Sequence, residues 1–119
     1  MEDYKELVVW QKSMQAVKNV YSLVKKLPKE EQYTLSDQMR RAAVSIPSNI
    51  AEGFGRHSAK DYSRFLSIAR GSKYELETQL RICIMLGYLS ENDTSETLLL
   101  LEEVGKMLNS LMRKLTSKQ

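Results

Sequence analysis

Few side chains in this 119-residue chain could carry chemistry, and they do not assemble into a reactive set. The one histidine, His57, stands in the connection Gly53–Ser58 directly after Arg56. Carboxylate-bridged metal sites in helical bundles take Glu from two helices and Glu-x-x-His from two more. No Glu lies three residues before His57, so that inventory fails. One histidine and one cysteine cannot complete a zinc site unless subunits share ligands. Cys83 falls in step with neighbouring apolar residues, which reads as a core thiol, not a nucleophile. It also rules out an internal disulfide framework. Gly53-Phe54-Gly55 is a bare G-x-G with neither a third glycine nor a preceding strand, too little for a dinucleotide loop. No nucleophile elbow is present. No catalytic residue, metal or cofactor is therefore expected, and the chain does not read as an enzyme.

The basic residues are more informative. Between Asp37 and Lys73 stand Arg40, Arg41, Arg56, Lys60, Arg64, Arg70 and Lys73 against Asp37, Glu52 and Asp61, a local excess of +4 where the whole chain carries +3. Lys60 and Arg64 lie one helical turn apart and share a face, with Arg56 just before them. Those seven cations are the candidate contacts to RNA or DNA phosphates. The competing reading is a solvated face laced with local ion pairs. Lys73, Glu77 and Arg81, at i,i+4 spacing, illustrate it. The place singled out for phosphate contact is the loop and helix start around Arg56, Lys60 and Arg64.

These residues must be positioned by helices, because apolar positions recur at helical spacing throughout and no period-2 segment appears. A first helix over about 6–27 carries the stripe Leu7, Trp10, Met14, Val17, Tyr21 and Val24, the expected seam. Pro28 ends it. A second, over about 33–54, lines up Leu35, Met39, Ala42, Ala43, Ile46, Ile50 and Phe54. Pro47 sits inside it, so a continuous helix with a kink is expected, with Ser45, Ser48 and Asn49 placed to serve the freed backbone groups. Gly53 and Gly55 stop it. Ser58-Ala59-Lys60-Asp61 resembles a capping box that opens a third helix to about Leu86, with Gly87 as its C′ residue. Its seam is Tyr62, Phe65, Ala69, Leu76, Leu80 and Cys83. Ser90-Glu91-Asn92-Asp93 caps a fourth helix to about Leu115, with Leu101, Val104, Leu108, Leu111 and Leu115 inward.

Four helices on short loops make one all-α domain, residues 1–119, an antiparallel up-down-up-down four-helix bundle. Leu98 to Leu101 point all round the fourth helix, and Met107 and Met112 extend the stripe. Apolar residues all round a helix mean burial on a second side. Leu99, Leu100 and Met107 are thus candidates for a homo-oligomer interface, the bland alternative being scattered surface leucines. With 42% hydrophobic and 28% charged residues the composition is that of a globular protein, not of a disordered one. The opening MEDYKELVVWQK lacks the basic and apolar regions of a signal peptide, and no segment is long enough to span a bilayer. A cytoplasmic protein without membrane contact is expected.

Three strings bear a family resemblance: Leu7-Val8-Val9-Trp10-Gln11-Lys12, the run Arg41 to Gly53 with SIPSNIAEG inside it, and Glu75-Leu76-Glu77-Thr78-Gln79-Leu80. Together they resemble the four helix bundle proteins encoded in inserts of bacterial ribosomal RNA genes, the 23S rRNA intervening-sequence proteins. They are also similar to the accessory protein of diversity-generating retroelements. The resemblance implies a four-helix bundle assembled as a ring-like homopentamer. It also implies a basic surface for nucleic acid and, in the retroelement case, a reverse transcriptase or other protein as partner. It brings no catalytic residues. Two functions follow: a non-catalytic oligomeric nucleic-acid-binding protein, probed most simply with RNA, or a protein-interaction scaffold with no direct nucleic-acid contact.

Overall fold

The structure, a computed structural model, describes residues 3–117. Four helices account for most of it: α1 (Val8–Val24), α2 (Leu35–Phe54), α3 (Ala59–Met85) and α4 (Glu91–Thr116), with single 3-10 turns at Tyr4–Glu6 and Lys29–Glu31. Each helix packs on the one before and the one after it, and α1 packs on α4. The backbones of diagonal pairs do not come close among the described residues. That is the square arrangement of an up-down-up-down bundle, 46 Å long and 24 by 20 Å across.

The helix ends follow from local chemistry. Ser90 Oγ accepts from Asp93 N at 2.9 Å, and the Asp93 carboxylate accepts in return from Ser90 N at 2.9 Å. This reciprocal box satisfies two otherwise orphaned donors at the start of α4. At the start of α3 only half of the expected box forms. Ser58 Oγ accepts from Asp61 N, but the Asp61 carboxylate turns outward to Arg64 and Arg56. At the end of α3, Gly87 has φ +80 and Tyr88 N donates to Cys83 O at 2.9 Å, a Schellman closure. Thr34 makes no side-chain cap for α2; instead the Glu31 carboxylate accepts from Thr34 Oγ1 and, at 3.4 Å, from Leu35 N. Tyr88 donates its hydroxyl to the other Glu31 oxygen at 2.9 Å, tying the α3–α4 turn to the start of α2.

α2 runs unbroken through Pro47, as its apolar phase predicts. The expected side-chain support is partly relocated. Asn49 Nδ2 donates to Ser45 O (2.8 Å) and Ser45 Oγ (3.0 Å), and Ser45 Oγ bonds to Ser72 Oγ of α3. None of these bonds reaches the carbonyl of Ala43, the one that proline leaves without its donor.

The stripe expected to be the α1 seam holds only in part: Val24 is buried and Leu7, Trp10 and Val17 pack at the edge of the core, while Met14 and Tyr21 turn outward. The buried residues of α1 are Val9, Ser13, Ala16, Val20, Leu23 and Val24. Met14 is 43% exposed and Tyr21 45%. The inward stripe is the smaller one, and small side chains let helices approach closely. Ser13 costs little there because its hydroxyl donates to Trp10 O at 2.8 Å. In α2 and α4 the expected seams hold: Met39, Ala42, Ala43, Ile46, Ile50, Leu101, Val104 and Leu108 are all buried. In α3, Ala69, Leu76, Leu80 and Cys83 are buried as expected, joined by Leu66 and Lys73.

Candidate functional site

The seven candidate cations do not form one patch. Arg40 and Arg41 lie in the first half of α2, beside Tyr21 and Val44. Arg56, Lys60 and Arg64 lie at the α2–α3 turn, fifteen residues further on, which is roughly 22 Å along a helix. Arg70 faces α4. Lys73 is inside the bundle.

The turn cluster is held by its own counter-ions. Arg56 Nη2 stands 3.0 Å from Glu52 Oε2, and its Nε is 3.8 Å from Asp61 Oδ2. Arg64 Nη2 stands 3.0 Å from Asp61 Oδ1. Both guanidiniums also cover the Phe65 ring, at 4.6 and 4.5 Å from its centroid. Three cations therefore meet two carboxylates, and Lys60 supplies the surplus charge. All three cations are exposed, and the stacking on Phe65 preorganises two guanidinium planes at one corner of the bundle. The close approach that builds this corner depends on Gly53. A Cβ there would meet Phe65 Cβ and Tyr62 Cδ1 at 2.9 Å.

Lys73 is a correction to the expected set. It is 6% exposed, with its ammonium 3.3 Å from Glu77 Oε1 and 4.0 Å from the Tyr74 ring centroid. Its chain lies over Gly105 of α4, where an added Cβ would stand 2.8 Å from Nζ. It pairs inside the bundle and is not presented to a phosphate on the surface. The step from Ala69 to Leu76 in the α3 seam leaves room at helical spacing for position 72 or 73, and it is Gly105 of α4 that makes room for the Lys73 chain. Arg41 pairs with Asp37 at 3.0 Å, while Arg40 donates to Gln32 O at 3.4 Å.

Cys83 is buried, with Sγ 3.6 Å from Met39 Sδ. Burial, and then the nearby Glu31 charge, push its thiol up to about 11, so it stays protonated. His57 is exposed in the turn, as expected.

The candidate interface residues on α4 separate. Leu99 is 58% exposed, Leu100 is half-buried, and Met107 packs against the core beside Leu7, Val8 and Val9. A further apolar surface lies elsewhere. Between α1 and α2 a groove of ≈ 330 Å³ is walled by Trp10, Met14, Val17, Val44 and Pro47, with Tyr4 closing one end against Trp10.

The sequence model of the 23S rRNA-intervening sequence protein family matches residues 5–110. The chain belongs to that family. Among solved structures, this family member is similar to a protein with unknown function from the S23 ribosomal protein family of Bacteroides thetaiotaomicron VPI-5482. The two are 27% identical with a TM-score of 0.82, over 88% of this chain and 98% of the other. Among curated proteins no relative matches. For this 23S rRNA-intervening sequence protein, no helix among the described residues is long and apolar enough to cross a membrane.

Proposed function

We propose that this 23S rRNA-intervening sequence protein is a non-catalytic, self-associating nucleic-acid-binding bundle of the cytoplasm, with RNA as its target. The observation that supports the reading best is the corner at the start of α3. There Arg56 and Arg64 are stacked on Phe65, and Lys60 stands beside them with no carboxylate within ion-pair distance among the described residues. Exposed guanidinium planes offer paired donors to phosphate oxygens. The single thiol is held protonated in the core, which speaks against nucleophilic chemistry. One subunit contributes few contacts, so assembly multiplies a weak site. The resemblance implies five copies and a protein partner such as a reverse transcriptase.

The test is RNA and DNA binding across salt by the wild type and by R56A/K60A/R64A, with helicity and assembly checked. Wild-type binding should weaken linearly in log–log salt. The triple variant should bind at least tenfold more weakly. Equal binding by both, or none by either, removes the corner from the proposal.

A second reading, a protein-interaction scaffold, is favoured by the apolar α1–α2 groove. Exposed contiguous apolar surface on a soluble bundle marks a contact site. In the proposed assembly its occupant is a second copy of this chain.

A further inference from the structure

The cleft between α3 and the last turns of α4 holds two arginines that no carboxylate among the described residues neutralises. Arg70 reaches from α3 and donates Nη1 to Asn109 Oδ1 at 2.8 Å. Arg113 shares the same space, one helical turn beyond Asn109, and Met112, Thr116 and Ser117 complete the lining of an open depression of ≈ 650 Å³. Among the described residues no carboxylate lies within 4.0 Å of either guanidinium. Arg41 and Arg64 each have one, and Arg56 has two. Arg70 is half-buried and Arg113 is exposed; a half-buried guanidinium without a counter-ion keeps its full demand for an anion.

The donor inventory is suited to an oxyanion. Asn109 uses its carbonyl oxygen to hold Arg70, which fixes the guanidinium and leaves Asn109 Nδ2 free to donate. Arg70 retains four N–H groups and Arg113 all five. The hydroxyls are not donors here, since Thr116 gives its proton to Met112 O and Ser117 to Lys114 O. The C-terminal end of α4 opposes an anion with about half a negative charge. Two full positive charges outweigh it, and Lys114 lies in the same last turn.

We propose that this cleft is a phosphate site, in which Arg70 and Arg113 chelate one phosphate group and Asn109 positions Arg70. The group is a phosphodiester of bound nucleic acid or free phosphate; the first source rests on the nucleic-acid reading above.

The probes are inorganic phosphate and a short oligouridylate, followed by NMR of the Arg70 Nε and Asn109 side-chain signals. The variants are R70Q/R113Q, which removes both charges, and N109A, which keeps both and removes the orienting bond. Phosphate should shift both signals in the wild type; binding should be at least tenfold weaker in R70Q/R113Q, read on Asn109, and of intermediate affinity in N109A, read on Arg70 Nε. The same double change should flatten the RNA salt slope by about 0.7, the loss of one phosphate contact on a single strand. Phosphate binding with no RNA binding supports the site and removes the nucleic-acid reading. Signals that phosphate leaves unmoved, or a double variant that binds phosphate as the wild type does, overturn the proposal. RNA binding that R70Q/R113Q leaves unchanged overturns the phosphodiester source.

Discussion

Two glycines buried between helices have opposite tolerance, and the reason is what each one faces. At Gly53 an added methyl would meet the Cβ of Phe65, an aromatic carbon of Tyr62 and, at 3.1 Å, the backbone oxygen of Tyr62. None of these is the free end of a flexible chain. Overpacking costs about 1–3 kcal/mol, against a gain of up to ~1 kcal/mol from replacing a helical glycine. Gly53→Ala is therefore expected to lose about 1–2 kcal/mol in urea denaturation and to weaken nucleic-acid binding at the adjacent corner. At Gly105 the methyl meets only the far end of the Lys73 side chain. That end can move, so Gly105→Ala should leave stability within about 1 kcal/mol of wild type. Its signature is chemical. The displaced Lys73 amine should react with an acylating reagent faster than in the wild type, read by mass spectrometry of the modified peptide.

The helix ends concentrate the acid sensitivity of the fold. Backbone donation from Ser90, with help from the Lys26 ammonium and the Ser90 hydroxyl, lowers Asp93 from 3.8 to about 2. Glu31 is lowered too, first by the Thr34 hydroxyl and then by Tyr88. Both groups have folded values below their unfolded ones. Their contribution is complete above the ordinary carboxylate range and is lost as pH falls through the lowered values. Thermal melting should be flat above about pH 5 and should decline toward pH 2. Asp93→Asn should melt lower at neutral pH and show a shallower decline. Element existence was largely legible in the sequence: caps at Ser58 and Ser90, the stop at Gly87 and the apolar phase through Pro47 each depend on neighbours a few residues away. The facing of α1 was legible only in part. Its two stripes differ by which neighbour covers them, and a count of large apolar residues favours Trp10, Met14 and Tyr21 over Ser13 and Ala16. Tight packing against α2 and α4 reverses that count. The burial of Lys73 similarly depends on Gly105, 32 positions away, which no local pattern reports.

At the scale of the whole molecule, the cations that are neighbours in sequence are distributed over a bundle end, a groove and a cleft, so charge density along the chain overstated the patch. The exposed apolar surface is likewise on α1 and α2 more than on α4. Replacing Met14 and Val44 together by Glu should shift sedimentation toward monomer more strongly than Leu99→Glu alone. The reverse order would return the interface to α4. The contact of α1 with α4 has a consequence for how the chain may be strung. Leu7, Val8 and Val9 lie beside Leu111 and Lys114, so the start of the first helix stands next to the end of the last. Helix backbone bonds run within each helix, so side-chain packing alone holds the helices in their order around the square. A circular permutant, with a short glycine-serine linker joining the ends of α1 and α4 and new termini between Gly55 and Arg56, should regain the same helicity. It would carry the Phe65 corner at a free chain end, with Arg56 cut loose from Glu52, and so would part the bundle's architecture from the binding assigned to its turn.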